Sequence, residues 1–172
     1  MSSFDRIEKA ILLRAPIERV WRAITDVSEF GQWFGVKLNE PFAPGRAITG
    51  SFKGEFNAQD IAKYQASIGL EPAPIRQPEP NAVFCTVEEM DAPRLFSFRW
   101  IPYGLDAECD PTREPTTLVE FRLEAVAGDT RLTVTESGFE GVPAHRRKRA
   151  FLMNDGGWSA QIENIKRHVE HV

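Results

Sequence analysis

From Pro143 to Val172 the apolar positions Phe151, Trp158, Ile162, Ile165, Val169 and Val172 recur at helical spacing, which places them on one face of a long amphipathic helix. Pro143 stands where a first helical turn tolerates proline, and a continuous helix over this stretch runs about 45 Å at 1.5 Å per residue. Burying side chains of this size is worth roughly 1.5–3 kcal/mol each before entropy is charged, so the helix is core and not an appendage. Its one irregularity is Asn154-Asp155-Gly156-Gly157, because an interior glycine costs about 1 kcal/mol relative to alanine. The glycines predict a kink or close backbone packing, or else room for a ligand beneath the helix.

Upstream, residues 4–13 carry Ile7, Ala10, Ile11, Leu12 and Leu13 and predict a strand ended by Ala15-Pro16. Two short helices follow. Pro16 opens one with Ile17, Val20, Trp21 and Ile24 on a face, and Thr25 or Asp26 caps another with Val27, Phe30, Trp33 and Phe34. From Val36 the period drops to two, with strands predicted at 36–38, 47–52, 83–90, 95–101, 117–126 and 131–137. Phe96, Phe98 and Trp100 share one face of their strand, opposite Leu95, Ser97 and Arg99. On the last strand Leu132 and Val134 face inward and Glu136 follows in phase. It is an anomaly, since a carboxylate there is costly unless paired or wet.

Two long connections interrupt the strands. The first, 55–79, has helical spacing around Ile61, Tyr64 and Ile68, after which Pro72, Pro74, Pro78 and Pro80 exclude regular structure. It reads as a surface insertion, either a lid or a disordered segment. The second, 102–115, carries Tyr103, Asp106, Glu108, Asp110 and Arg113. The order strand, two short helices, about six strands and long helix, with hairpin-length connections, predicts an α+β fold. A curved antiparallel sheet of about seven strands lies against the C-terminal helix. Such a sheet and helix meet side chain to side chain or leave a cavity, and twelve Phe, two Tyr and four Trp supply ample lining.

A length of 172 residues favours one domain over 1–172, with a Pro-rich insertion at about 55–80. The net charge of −4 leaves no nucleic-acid footprint. No apolar run reaches membrane-spanning length, and Met1-Ser2-Ser3-Phe4-Asp5 has no signal-peptide pattern, so a cytoplasmic location without a membrane partner is expected. Cys85 in a strand and Cys109 in a polar loop do not suggest a disulfide. His145, His168 and His171 share the last helix without ligand-spaced partners, so no metal is expected. No flavin, nicotinamide or iron–sulfur motif implies a cofactor either. The run His145-Arg146-Arg147-Lys148-Arg149 reads as a solvated helical face near Glu136 and Glu140.

The segments Ile11-Leu12-Leu13-Arg14-Ala15-Pro16-Ile17-Glu18-Arg19-Val20-Trp21, Gln32-Trp33-Phe34, Gly128-Asp129-Thr130-Arg131-Leu132, Ser137-Gly138-Phe139 and Asn154-Asp155-Gly156-Gly157-Trp158 together resemble the SRPBCC (START-like, birch-pollen-allergen-like) superfamily. Within it the chain is similar to the bacterial branch related to the C-terminal domain of the activator of the 90-kDa heat-shock chaperone ATPase. The resemblance spans essentially the whole chain. It implies a helix-grip fold with a pocket often used for hydrophobic ligands, in a superfamily of lipid carriers, aromatase/cyclases and co-chaperone domains. Fold therefore does not fix function.

Three functions are weighed. The first is binding of a small hydrophobic or aromatic molecule, with Trp33, Phe34, Phe98, Trp100 and Trp158 as walls, Gly157 as the space beneath the helix, and Glu136, Asn154 and Arg99 as polar anchors. The second is a cyclase or hydrolase using Glu136 as general base. The third is an interaction module that stimulates a chaperone ATPase, with the Arg146–Arg149 cluster on an acidic partner. A homodimer is a further partner compatible with edge strands and a long helix.

Overall fold

The computed structural model describes residues 5–170. Met1 to Phe4 and the expected helix positions His171 and Val172 lie outside them. In chain order the elements are β1 (Arg6–Leu13), α1 (Ile17–Thr25), α2 (Val27–Phe34), β2 (Val36–Leu38), β3 (Ala47–Phe52) and α3 (Ala58–Ser67). Then come β4 (Ala82–Asp91), β5 (Leu95–Trp100), β6 (Thr117–Val126), β7 (Asp129–Ser137), a single 3₁₀ turn (Phe139–Gly141) and α4 (Ala144–Glu170). The strands form one seven-stranded antiparallel sheet in the order β1-β7-β6-β5-β4-β3-β2. This is the α+β helix-grip arrangement expected.

Local chemistry sets the boundaries. The Pro16 carbonyl accepts from the amides of Arg19 and Val20 at the start of α1. The Asp26 carboxylate accepts from Glu29 N at 2.9 Å, and Gly35 at φ 89° ends α2, so the two helices make one bent unit. The helix α4 continues through its glycines for 27 residues, about 40 Å. Phe151, Trp158, Ile162, Ile165 and Val169 are all buried, and α4 packs on β1, α1 and α2. The glycines separate the two expectations made for them. A Cβ on Gly156 would lie 1.9 Å from Tyr64 Oη of α3, whereas one on Gly157 would meet nothing within 4 Å.

The insertion is built into the fold. In α3, Gln65 is fully buried; its Nε2 donates to Tyr103 Oη at 3.2 Å and its Oε1 accepts from Ala73 N at 3.0 Å. The proline-rich segment then pairs with the second long loop, through Arg76 N to Leu105 O and Ala107 N to Pro74 O. One irregular segment supplies the backbone partners of the other.

The basic run corrects the sequence reading. Arg146 is not solvated but fully buried, with Nε donating to Glu114 at 2.5 Å, Nη2 donating to Pro102 O at 2.8 Å, and Nη1 3.6 Å from Asp106. Arg149 reaches Asp106 and Glu108. The carboxylates come from the 102–115 loop folding over the start of α4, which residue spacing within the helix cannot report. Only His145 and Lys148 of the run are exposed, and Glu140 is met through its backbone carbonyl, by Arg147. Cys109, expected in a polar loop, is buried, as is Cys85, and both are free thiols. Burial pushes the Cys85 thiol up to about 12.

Candidate functional site

Strand register assembles the inner end of the site. Trp100 on β5 pairs with Thr117 on β6, and Val119, two residues along the same face, pairs with Glu136 on β7. Trp100, Thr117 and Glu136 therefore stand together on the inner face of three adjacent strands. Onto this group α4 lowers Asn154 and Trp158, which face the same way because they are four residues apart.

The five side chains form one hydrogen-bonded unit around a buried carboxyl group. Glu136 Oε2 accepts from Trp100 Nε1 at 2.9 Å, Thr117 Oγ1 at 2.6 Å and Asn154 Nδ2 at 3.0 Å. Glu136 Oε1 accepts from Trp158 Nε1 at 2.9 Å and Asn154 Nδ2 at 3.1 Å. Glu136 is fully buried, and among the described residues no basic side chain pairs with it. Burial pushes its carboxyl above the ordinary 4.5, while the bonds from Thr117, Trp100, Trp158 and Asn154 pull it back. The indoles are held nearly parallel, with centroids 5.6 Å apart and planes at 29°.

In front of this unit lies a cavity of about 660 Å³ between the sheet, α4 and the insertion. Trp100, Asn154, Gly157 and Trp158 form one wall, Phe34, Phe52 and Phe84 another, and Phe56 and Ile61 the cover. Lys53, Glu55, Arg76 and Glu79 also border it. The lining is mainly apolar and aromatic, which suits a small organic molecule.

Of the candidate residues, Phe34, Trp100, Asn154, Gly157 and Trp158 line this cavity, and Trp33, Phe98 and Glu136 do not. Trp33 packs on Phe30 and donates from Nε1 to Ala23 O at 2.9 Å, so it belongs to the core. Phe98 is fully buried within the core, against Phe84, Trp100 and Phe121. Arg99 points to the other face of the sheet, where it pairs with Glu88. Glu136 sits behind the wall with both oxygens occupied, which corrects its assignment as anchor or base: it holds cavity residues and does not face the cavity. Thr117, Phe52, Phe84 and Arg76 were missed. Thr117 was signalled by its place opposite Trp100 once strand register is known.

The family model described as "Activator of Hsp90 ATPase homolog 1-like protein" matches residues 14–170. No curated protein matches the sequence. Among solved structures, MLL2253 from Mesorhizobium loti is similar at 19% identity and TM-score 0.66, over 97% of this chain and 98% of that one. The Aha1 dimer from Colwellia psychrerythraea is similar at 16% identity and TM-score 0.63, over 96% of each chain. DynU16, from the dynemicin biosynthetic locus, is similar at 22% identity and TM-score 0.63, over 97% of this chain but 48% of that one. This chain thus spans about half the length of DynU16, and at these identities the likenesses establish fold alone. Among the described residues no cluster of His, Cys, Asp and Glu is placed to hold a metal, and no helix is long and apolar enough to cross a membrane. The family match covers all but the ends of the sequence, and the chain belongs to the family of proteins like homolog 1 of the activator of the Hsp90 ATPase.

Proposed function

We propose that this protein binds a small hydrophobic or aromatic molecule in the cavity between the sheet and α4. The observation that carries the reading is the aromatic lining of a space of about 660 Å³ beneath Gly157, whose missing side chain leaves that space open. Native mass spectrometry of the purified protein, followed by extraction and identification of what travels with it, tests the reading. A stoichiometric apolar ligand supports it. A bare protein whose melting temperature is unmoved by fatty acids, aromatics and polyketide-like compounds overturns it.

The family match favours a second reading, an interaction module that stimulates a chaperone ATPase. Its docking surface is not the Arg146–Arg149 cluster as first drawn, because Arg146 and Arg149 are committed to Asp106, Glu108 and Glu114. Stimulation of a purified 90-kDa chaperone's ATPase by the intact protein supports this reading, and an unchanged rate removes it. A cyclase or hydrolase using Glu136 has less support, since a base must reach the proton it abstracts.

A further inference from the structure

The unit around Glu136 determines which atom of Asn154 is left for a ligand. An indole nitrogen can only donate, and each oxygen of Glu136 has one indole N–H on it. Ionised, the carboxylate offers acceptors alone, so Asn154 meets it with the amide NH₂, which lies 3.0 and 3.1 Å from the two oxygens. Protonated, it can direct its proton to Thr117 Oγ1, 2.6 Å away, and leave the amide facing it with NH₂. Both states are compatible with that orientation of Asn154, and the ionised one requires it.

What remains is Asn154 Oδ1. Among the described residues nothing donates to it, and the one buried side-chain polar atom without a partner is Arg146 Nη1, so Oδ1 is accessible and free of any protein donor. Asn154 lines the cavity. The neighbouring wall amide is spent, because Gln161 donates to Phe34 O and accepts from Asn164. Glu55 and Glu79 also accept, but they are exposed, where water competes.

We infer that the cavity selects ligands bearing a hydrogen-bond donor, such as a phenolic or alcoholic hydroxyl, on an apolar aromatic body. Asn154 Oδ1 is the acceptor, and Glu136 is the positioning residue that holds it. This deepens the cavity reading above and rests on it. The donor fits at the Trp100–Trp158 wall, where Asn154 Oδ1 has no donor from the protein among the described residues.

A matched pair of fluorescent probes, 1-hydroxypyrene and 1-methoxypyrene, tests the inference on the full chain. The native protein should bind the hydroxyl compound roughly five- to tenfold more tightly, the worth of one neutral hydrogen bond. Asn154→Leu should abolish that preference, read as the ratio of the two probes' affinities within the variant itself. Glu136→Gln offers Asn154 an N–H as well as a carbonyl, so the preference should fall toward unity with both probes still bound. A purely structural role for Glu136 would weaken both probes alike. Equal native affinities, or a preference that survives Asn154→Leu, overturn the inference and leave the cavity reading standing. Saturable binding of neither probe overturns both.

Discussion

Near the start of α4, Asp106 and Glu114 are buried against Arg146 and Arg149; beneath the middle of the same helix, Glu136 of β7 is buried with no cation beside it among the described residues. The first site joins opposite charges from separate segments and fastens the 102–115 loop to the helix. The second surrounds one carboxyl group with neutral donors whose other surfaces form a cavity wall. Ion pairs suit a clamp, because removing either partner strands a charge in low dielectric. Neutral donors suit a binding wall, because the indoles and the amide keep apolar faces and a free carbonyl turned to the cavity. The contrast separates what holds the cover in place from what shapes the space beneath it.

The largest expected effect comes from breaking the clamp. Arg146→Met leaves Glu114 buried without its ion-pair partner and Asp106 with Arg149 alone, and should cost about 3–5 kcal/mol in urea unfolding. A loss below about 1 kcal/mol would show that the loop is held by something else. Next is Trp158→Ala, which removes a side chain only 2% exposed together with a donor to Glu136. About 3 kcal/mol is expected, the lower end for a buried aromatic because one face already borders empty space. A cost well under 1 kcal/mol would mean that neither the packing nor the donor matters.

Glu136→Gln should be smaller, about 1–3 kcal/mol, because whichever way the amide is placed its NH₂ meets an indole N–H. The loss should also depend on pH. The folded-state pKa of Glu136 is raised, so the native protein pays for the buried charge only as pH climbs from about 4.5 through that raised value. Glutamine does not titrate, and Glu29, Glu40 and Glu170, whose pKa values are lowered, are common to both proteins and cancel in the difference. The stability gap between native and variant should therefore narrow as pH rises above 4.5. A gap that widens would reverse the sign assigned to burial.

These sites differ in how far the sequence announced them. Periodicity placed every strand and the helices α1, α2 and α4 within a few residues because each buries a regular face; α3 buries only Gln65, and its stretch reads as a lid or a disordered segment. It put Glu136 in phase with Leu132 and Val134, yet phase cannot say whether a strand end is covered. Trp33 and Phe34 are consecutive and both apolar, so helical spacing could not tell which turns to the core and which to the cavity. Phe98 and Trp100 share a face, and only the curvature of the sheet puts one in the core and the other at the surface of the cavity. The bulge between Ile48 and Thr49, where β3 meets β4, breaks the alternation that would have marked Phe84. Arg146 was misread because its carboxylates arrive from a loop distant in sequence.

The smallest effect on stability, and the sharpest on binding, should come from Gly157→Leu. The added Cβ meets nothing within 4 Å, and leucine favours a helix over glycine by roughly 1 kcal/mol, so the fold should be unharmed or slightly steadier. The side chain enters the cavity between Asn154 and Gln161 and occupies space that a ligand needs. Gly156→Ala is the control, because its Cβ falls on the Tyr64 hydroxyl and displaces the ring of α3. If Gly157→Leu leaves the melting temperature within a few degrees and abolishes 1-hydroxypyrene binding, the space beneath α4 is the binding site. If binding survives, the probe is seated elsewhere, and the wall built around Glu136 is a device of folding alone.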